Sequence, residues 1–313
     1  VTDANVLLQA LNPVSLLNGR MPISQEASRN AIAGLADRMG VDVMDADRPL
    51  ALYRVRDQVS RWESPKPSFA PIFFGDGRQL TEHRPWDHLW HTGLFFGWVH
   101  ANDSNLWGGA WYTPETGKYE RVETHGIQRH DQFNELGSTD AGGVRIDHHL
   151  SWLDAEDHTF ATEQRVWDIE PFDGGTHWCV DTTIQPVGRP LTLGATRAEA
   201  RYSGLVLRMG PTFGHPESPA SESHAWCSEG REGHAQIMGQ PARWVAAAGA
   251  SGGMVAMFDH PANPRHPSTW FCRANLLGPA LLAPGDLVTD LGESLQLRYA
   301  MLLSDESLGS RAI

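Results

Sequence analysis

The sequence predicts an all-β protein, a large antiparallel β-sandwich with a short, partly helical N-terminal segment. Three observations carry that prediction. Apolar and polar residues alternate with a period of two in many short runs. Turn-forming clusters separate the runs, at Gly75-Asp76-Gly77, Ala101-Asn102-Asp103-Ser104-Asn105, Asp173-Gly174-Gly175 and Pro284-Gly285-Asp286. Neither a βαβ rhythm nor a repeat of 20–50 residues is visible, which argues against parallel α/β sheets, propellers and solenoids.

Taken in order, the one clear helical pattern is N-terminal. Ser24 is placed to cap a run in which Ile32, Leu35 and Met39 recur at helical spacing, with Gly40 at the stop position. Residues 1–40 are therefore read as a lead-in and 41–313 as one sandwich domain. Leu94–Val99 and Leu205–Met209 are short apolar strands, the second carrying Arg208 out of phase with Leu205 and Leu207. In the strand Ala161–Ile169, Glu163 and Arg165 share a side with Trp167 and Ile169, so the charged pair is expected to line a cavity or a half-buried edge. His148 shares a face with Ile146 and Leu150 and reads as a satisfied core histidine. Trp178, Val180, Thr182 and Ile184 alternate inward, as do Leu295, Leu297, Tyr299 and Met301, and Met254–Phe258 is a short buried run.

Composition narrows the function. With 25 basic and 38 acidic side chains the net charge is −13, which disfavours nucleic acid or an anionic membrane surface as partner. No stretch of about 18 uninterrupted apolar residues occurs, and Val1–Asn5 carries no basic residue. A cytoplasmic protein is predicted, and a homo-oligomer is compatible with the sequence. Cys179, Cys227 and Cys272 are too few and too scattered for a disulfide framework or a CxxC metal pair. GxGxxG, P-loop, GxSxG and HExxH motifs are all absent, so dinucleotide binding, P-loop hydrolysis and α/β-hydrolase chemistry have no support.

What stands out is 15 His and 12 Trp. Indoles offer flat apolar faces, and imidazoles donate, accept or ligate. They concentrate in two clusters. One is Arg84-Pro85-Trp86-Asp87-His88-Leu89-Trp90-His91-Thr92-Gly93, where the His-x-x-His pair would flank one metal or one substrate group. The other is Asp259-His260-Pro261-Ala262-Asn263-Pro264-Arg265-His266-Pro267, a proline-stiffened loop closed by Trp270 and Phe271.

These two clusters, with Asn105-Leu106-Trp107-Gly108-Gly109, Gly126-Ile127-Gln128-Arg129-His130 and Tyr202-Ser203-Gly204-Leu205, resemble successive blocks of a bacterial domain family labelled "PmoA family" or "methane oxygenase". The resemblance runs over roughly residues 41–304. Leu89 stands where relatives usually carry Pro, which would loosen the loop between the two histidines. The resemblance implies a β-sandwich (supersandwich) of the galactose-mutarotase-like group and a role in carbohydrate metabolism, with a sugar or glycoside as small-molecule partner. On that basis the expected function is a lyase that cleaves an oxidised (3-keto) glycoside by acid–base β-elimination. His88 or His91 would act as base, His260 or His266 as acid, and Arg208 or Arg265 would face the enolate oxygen. Trp90, Trp107 and Trp270 would stack on the sugar ring, with Asp87 and His130 as further substrate contacts. A divalent metal held by His88, His91 and Glu163 is the alternative electrophile. A mutarotase or epimerase, using one His and one Glu, and a non-catalytic sugar-binding protein are the competing functions.

Overall fold

A computed structural model describes residues 40–113, 116–139, 142–194, 202–213 and 223–307. The helix expected between Ser24 and Met39 lies outside the described residues; Gly40 is the first residue of a strand.

Strands β1 (Gly40–Asp45), β2 (Arg48–Arg54), β3 (Ser68–Ile72) and β4 (Leu94–Gly97) open the fold as antiparallel neighbours. Short strands β5 (His100–Ala101), β6 (Trp111–Thr113) and β7 (Lys118–Glu120) follow. A long meander is then built from β8 (Ile127–Ser138), β9 (Val144–Leu153), β10 (Thr159–Phe172) and β11 (Gly175–Pro186). After β12 (Leu191–Gly194), strand β13 (Gly204–Arg208) pairs with β4. β14 (His224–Cys227), a single helical turn α1 (His234–Ile237), β15 (Trp244–Ala248) and β16 (Met254–Asp259) come next. The chain continues as the hairpin β17 (Trp270–Arg273) and β18 (Leu276–Pro279), then β19 (Leu287–Thr289) and β20 (Leu295–Ser304).

Two large antiparallel sheets result. One has the order β1-β2-β3-β4-β13-β18-β17, the other β14-β15-β16-β20-β11-β10-β9-β8. Their facing side chains interlock as the period-two alternation requires. Phe69 of β3 meets Trp167 of β10 and Trp178 of β11 edge-on at 5.0 Å, and Trp98 lies 5.8 Å from Trp152 of β9. The sandwich predicted from sequence is the observed architecture. Cys227 and Cys272 are buried thiols, in no disulfide. No helix among the described residues is long and apolar enough to cross a membrane.

The core also holds charge. Glu163 and Arg165 do point the same way, as the alternation requires, yet they line neither a pocket nor an edge. Both side chains are 1% exposed, with Arg165 Nε donating to Glu163 Oε1 at 2.7 Å. Glu163 accepts further bonds from Trp152 Nε1 and Thr182 Oγ1, and Arg165 donates to Gln128 and lies 4.6 Å over the Phe96 ring. A buried ion pair persists only when its remaining donors and acceptors are met in this way. His148 is likewise satisfied, between Tyr53 Oη at 2.9 Å and His130 Nδ1 at 3.0 Å.

The outward face of the seven-stranded sheet positions the site. Leu205 and Leu207 of β13 enter the intersheet core, so Val206 and Arg208 emerge on the other side. There Val206 joins Phe95, Val99, Trp107, Phe271, Leu276 and Ala280 in a second apolar cluster, against which Trp90, Trp111 and Tyr202 pack.

Candidate functional site

On this second cluster sits a cavity partly open to solvent. Its lining includes Asp87, His88, Trp90, His91, Trp107 and Arg208, together with Tyr202, Phe271, Arg273 and Asn275.

The loop that carries Asp87, His88 and His91 is held at both ends. His83 bridges Thr92, and Arg84 N–H donates to the His91 carbonyl at 2.8 Å. Within it, backbone bonds run from His88 N to Pro85 O and from His91 N to His88 O. The Arg84 guanidinium clasps the Glu63 carboxylate through two bonds of 2.7 and 2.9 Å. A glycine pair seats the next wall: a Cβ on Gly109 would approach the Trp90 ring to 2.6 Å, and Gly108 and Gly109 have φ of 104° and 69°. Only glycine adopts such backbone without strain while letting an indole lie against it. Buried Asn105 holds this turn, its Oδ1 accepting from Trp107 N and Gly108 N. Lys66 lies behind, its Nζ donating to the carbonyls of Glu63, Ser64 and Trp107. Burial pulls the Lys66 amine down to about 7, against the nearby Glu63 and Asp57 carboxylates.

The central geometry is a chain of three charged or polar groups. His88 Nδ1 lies 2.8 Å from Asp87 Oδ2, and Arg208 Nη2 lies 3.1 and 3.2 Å from the two Asp87 oxygens. Burial alone would raise the Asp87 carboxyl. The His88 hydrogen bond and the Arg208 charge outweigh it and hold the pKa below the usual carboxylate range. An ionised Asp87 only accepts, which selects the His88 tautomer that has its proton on Nδ1 and a lone pair on Nε2. The His88 side chain is 39% exposed, the accessible member of the set. His91 stacks on it at 4.7 Å and 19° and is buried; burial first, then the His88, Arg208 and Lys66 charges, pushes its pKa far below 6.5. His91 is thus neutral, and its Nδ1 has no hydrogen-bond partner, nor has buried Asn275 Oδ1. A polar group on a ligand can meet such unmet hydrogen-bonding capacity beside a cavity.

Of the sequence-predicted site residues, the structure brings together Asp87, His88, Trp90, His91, Trp107 and Arg208. The others stand elsewhere. Asp259 accepts from His266 Nδ1, Asn263 Nδ2 and Ser268 N, which folds the proline-rich loop onto the end of β16. His260 Nδ1 accepts from Ala262 N inside that same loop. Arg265 spends its guanidinium on the carbonyls of Leu281, Gly285 and Asp286, so its cation clamps two loops together. Trp270 is wholly buried with its Nε1 on Ala242 O, and cannot stack on a ligand. His130 packs in the core interface with His148, and Glu163 is tied up with Arg165, so Glu163 does not join His88 and His91 around one metal. Among the described residues the one trio with ligand spacing is half-buried Asp154 with exposed Glu156 and His158, in the β9–β10 turn that Asp154 Oδ1 itself organises.

Tyr202, Phe271, Arg273 and Asn275 are among the lining residues not singled out as site residues from the sequence. Arg273 and Asn275 flank the β17–β18 turn, a polar turn between two apolar strands of the sheet that carries Arg208. That adjacency was the available signal. Tyr202 packs on Trp107 at 4.7 Å and Phe271 at 5.3 Å; burial, reinforced by Tyr119 and opposed by Arg273, pushes its phenol up to about 12.

An all-β sandwich with an aromatic-walled, histidine-bearing pocket on one outer face is the class these features define. Residues 40–313 match a family of unknown function, DUF6807, and the chain belongs to that family. No curated protein matches the chain.

Proposed function

We propose that the chain is a carbohydrate-active enzyme, a lyase cleaving an oxidised (3-keto) glycoside by acid–base β-elimination. The observation that carries this reading is the Asp87–His88 dyad beside Arg208, in a pocket walled by Trp90, Trp107, Tyr202 and Phe271. The resemblance of the sequence blocks to the "PmoA family", with its mutarotase-like sandwiches, supports a sugar as ligand. The buried thiols of Cys227 and Cys272, in no disulfide, support a cytoplasmic setting.

In this reading Trp90 and Trp107 contact the ring faces, and His88 Nε2 removes the proton on C2, beside the C3 ketone. The electron pair moves into C2–C3 and leaves the negative charge on the ketone oxygen, facing the Arg208 side of the pocket. Collapse of the enolate re-forms the ketone, makes C1=C2 and breaks the C1–O bond. The departing oxygen takes a proton from Tyr202, whose raised pKa keeps the phenol protonated. Asp87 fixes the His88 tautomer and stabilises the imidazolium formed by the first proton transfer.

The test is incubation of the purified protein with a set of glycosides and their 3-keto forms, with product followed by mass spectrometry. Release of aglycone from the 3-keto forms, lost in His88→Gln, is the expected result. No product from any of them, together with no sugar-induced rise in thermal stability, would overturn the reading.

A further inference from the structure

Charge around the pocket is unevenly matched. Among the described residues Asp87 is the one acidic side chain lining it, and that carboxylate already serves both Arg208 and His88. Arg208 additionally has Glu82 at 3.6 Å. Arg273, exposed at the end of β17, has no carboxylate within ion-pair distance among the described residues. Its guanidinium lies 5.1 Å over the Phe271 ring, one face of the same cavity. Stacking on an aromatic ring holds the plane of the fork in place and leaves its N–H edge free to bind. In a chain with a net charge of −13, a pre-positioned and unmatched cation at a pocket mouth is a local inversion of sign.

We infer that Arg273 reads a carboxylate on the ligand, so that the sugar taken by this pocket is an acidic one of the uronic-acid type. This rests on the pocket being a sugar site. A planar carboxylate accepts two parallel bonds from a guanidinium fork, a geometry that a lysine ammonium does not reproduce. The carboxylate at the rim would orient the ring with its reacting carbons toward His88, deeper along the loop. Arg273 is therefore a specificity-determining residue and takes no part in moving protons.

Calorimetric titration with methyl β-D-glucuronide, methyl β-D-glucoside and glucose 6-phosphate tests it. The glucuronide is expected to bind at least tenfold tighter than the neutral glucoside, the advantage shrinking as salt is raised. Arg273→Gln should abolish that advantage while leaving glucoside affinity and the thermal midpoint unchanged, and Arg273→Lys should restore only part of it. Equal affinity for glucuronide and glucoside, or a glucuronide preference that survives Arg273→Gln, overturns the inference and leaves the sugar site standing. A preference for the phosphate over the glucuronide overturns the carboxylate assignment. Failure of all three to bind overturns the inference together with the sugar reading beneath it.

Discussion

His88 Nδ1 and Asp87 Oδ2 lie 2.8 Å apart, and the same carboxylate is gripped from its other side by Arg208. The arrangement fixes one tautomer of one exposed imidazole and gives a nearly buried guanidinium its counter-charge. Asp87→Asn keeps the shape and removes the charge, so His88 loses the partner that stabilises its protonated form. kcat is expected to fall by about 10²–10⁴, the usual worth of a positioned acid or base. Stability should fall by about 1–3 kcal/mol as Arg208 loses its partner. Steady-state kinetics and a urea titration of the same variant check both numbers.

On the proposed mechanism Tyr202 Oη is the proton donor to the leaving oxygen. Tyr202→Phe should therefore slow the release of alkyl aglycones strongly and that of nitrophenol, which departs without a proton, hardly at all. A uniform loss across leaving groups, read from kcat plotted against aglycone acidity, would remove Tyr202 from this role.

Glu163 belongs to the core ion pair with Arg165. Glu163→Gln leaves a wholly buried guanidinium without its counter-charge and should destabilise the fold by about 3–5 kcal/mol. The folded fraction should retain its turnover number and its metal content, measured by elemental analysis. A loss of bound metal at unchanged stability would return Glu163 to a ligand role.

Several buried histidines set the pH profile of stability. Burial, with the Arg56 charge adding and Asp131 opposing, takes His130 down to about 4, and His91 and His148 are driven the same way. In each case the unfolded chain binds the proton first, at the ordinary pKa of about 6.5. Stability is thus fully present above that value and is lost as pH falls toward 4, with unfolding favoured by proton uptake. Denaturation midpoints between pH 7.5 and 4.5 should drop steadily, and His130→Gln should flatten part of the slope.

The sandwich was legible because alternation is a local property: the faces of β10, β11 and β20 follow from the residue types alone. The Asp87–His91 loop was legible for the same reason, since its chemistry is concentrated in one short stretch. The proline-rich loop misled because Asp, His and Arg in a rigid segment look alike whether they face a ligand or each other. There Asp259 and Arg265 bind their own loop and its neighbours, which only the folded chain reveals. Glu163 shows a related limit, since a period of two places its side chain inward without telling a cavity from a core ion pair. Arg273 and Asn275 reach the pocket through the pairing of β18 with β13, a contact between segments about 70 residues apart.

On the proposed mechanism His88 removes a carbon-bound proton next to a ketone, and isotope exchange reads that step alone. A 3-keto glucoside incubated with the protein in D₂O should lose its C2 proton signal by NMR, at least a hundredfold faster than without protein. That acceleration should vanish in His88→Gln and persist in His266→Gln. Equal exchange with wild type and His88→Gln, or none with either, would contradict that role for His88.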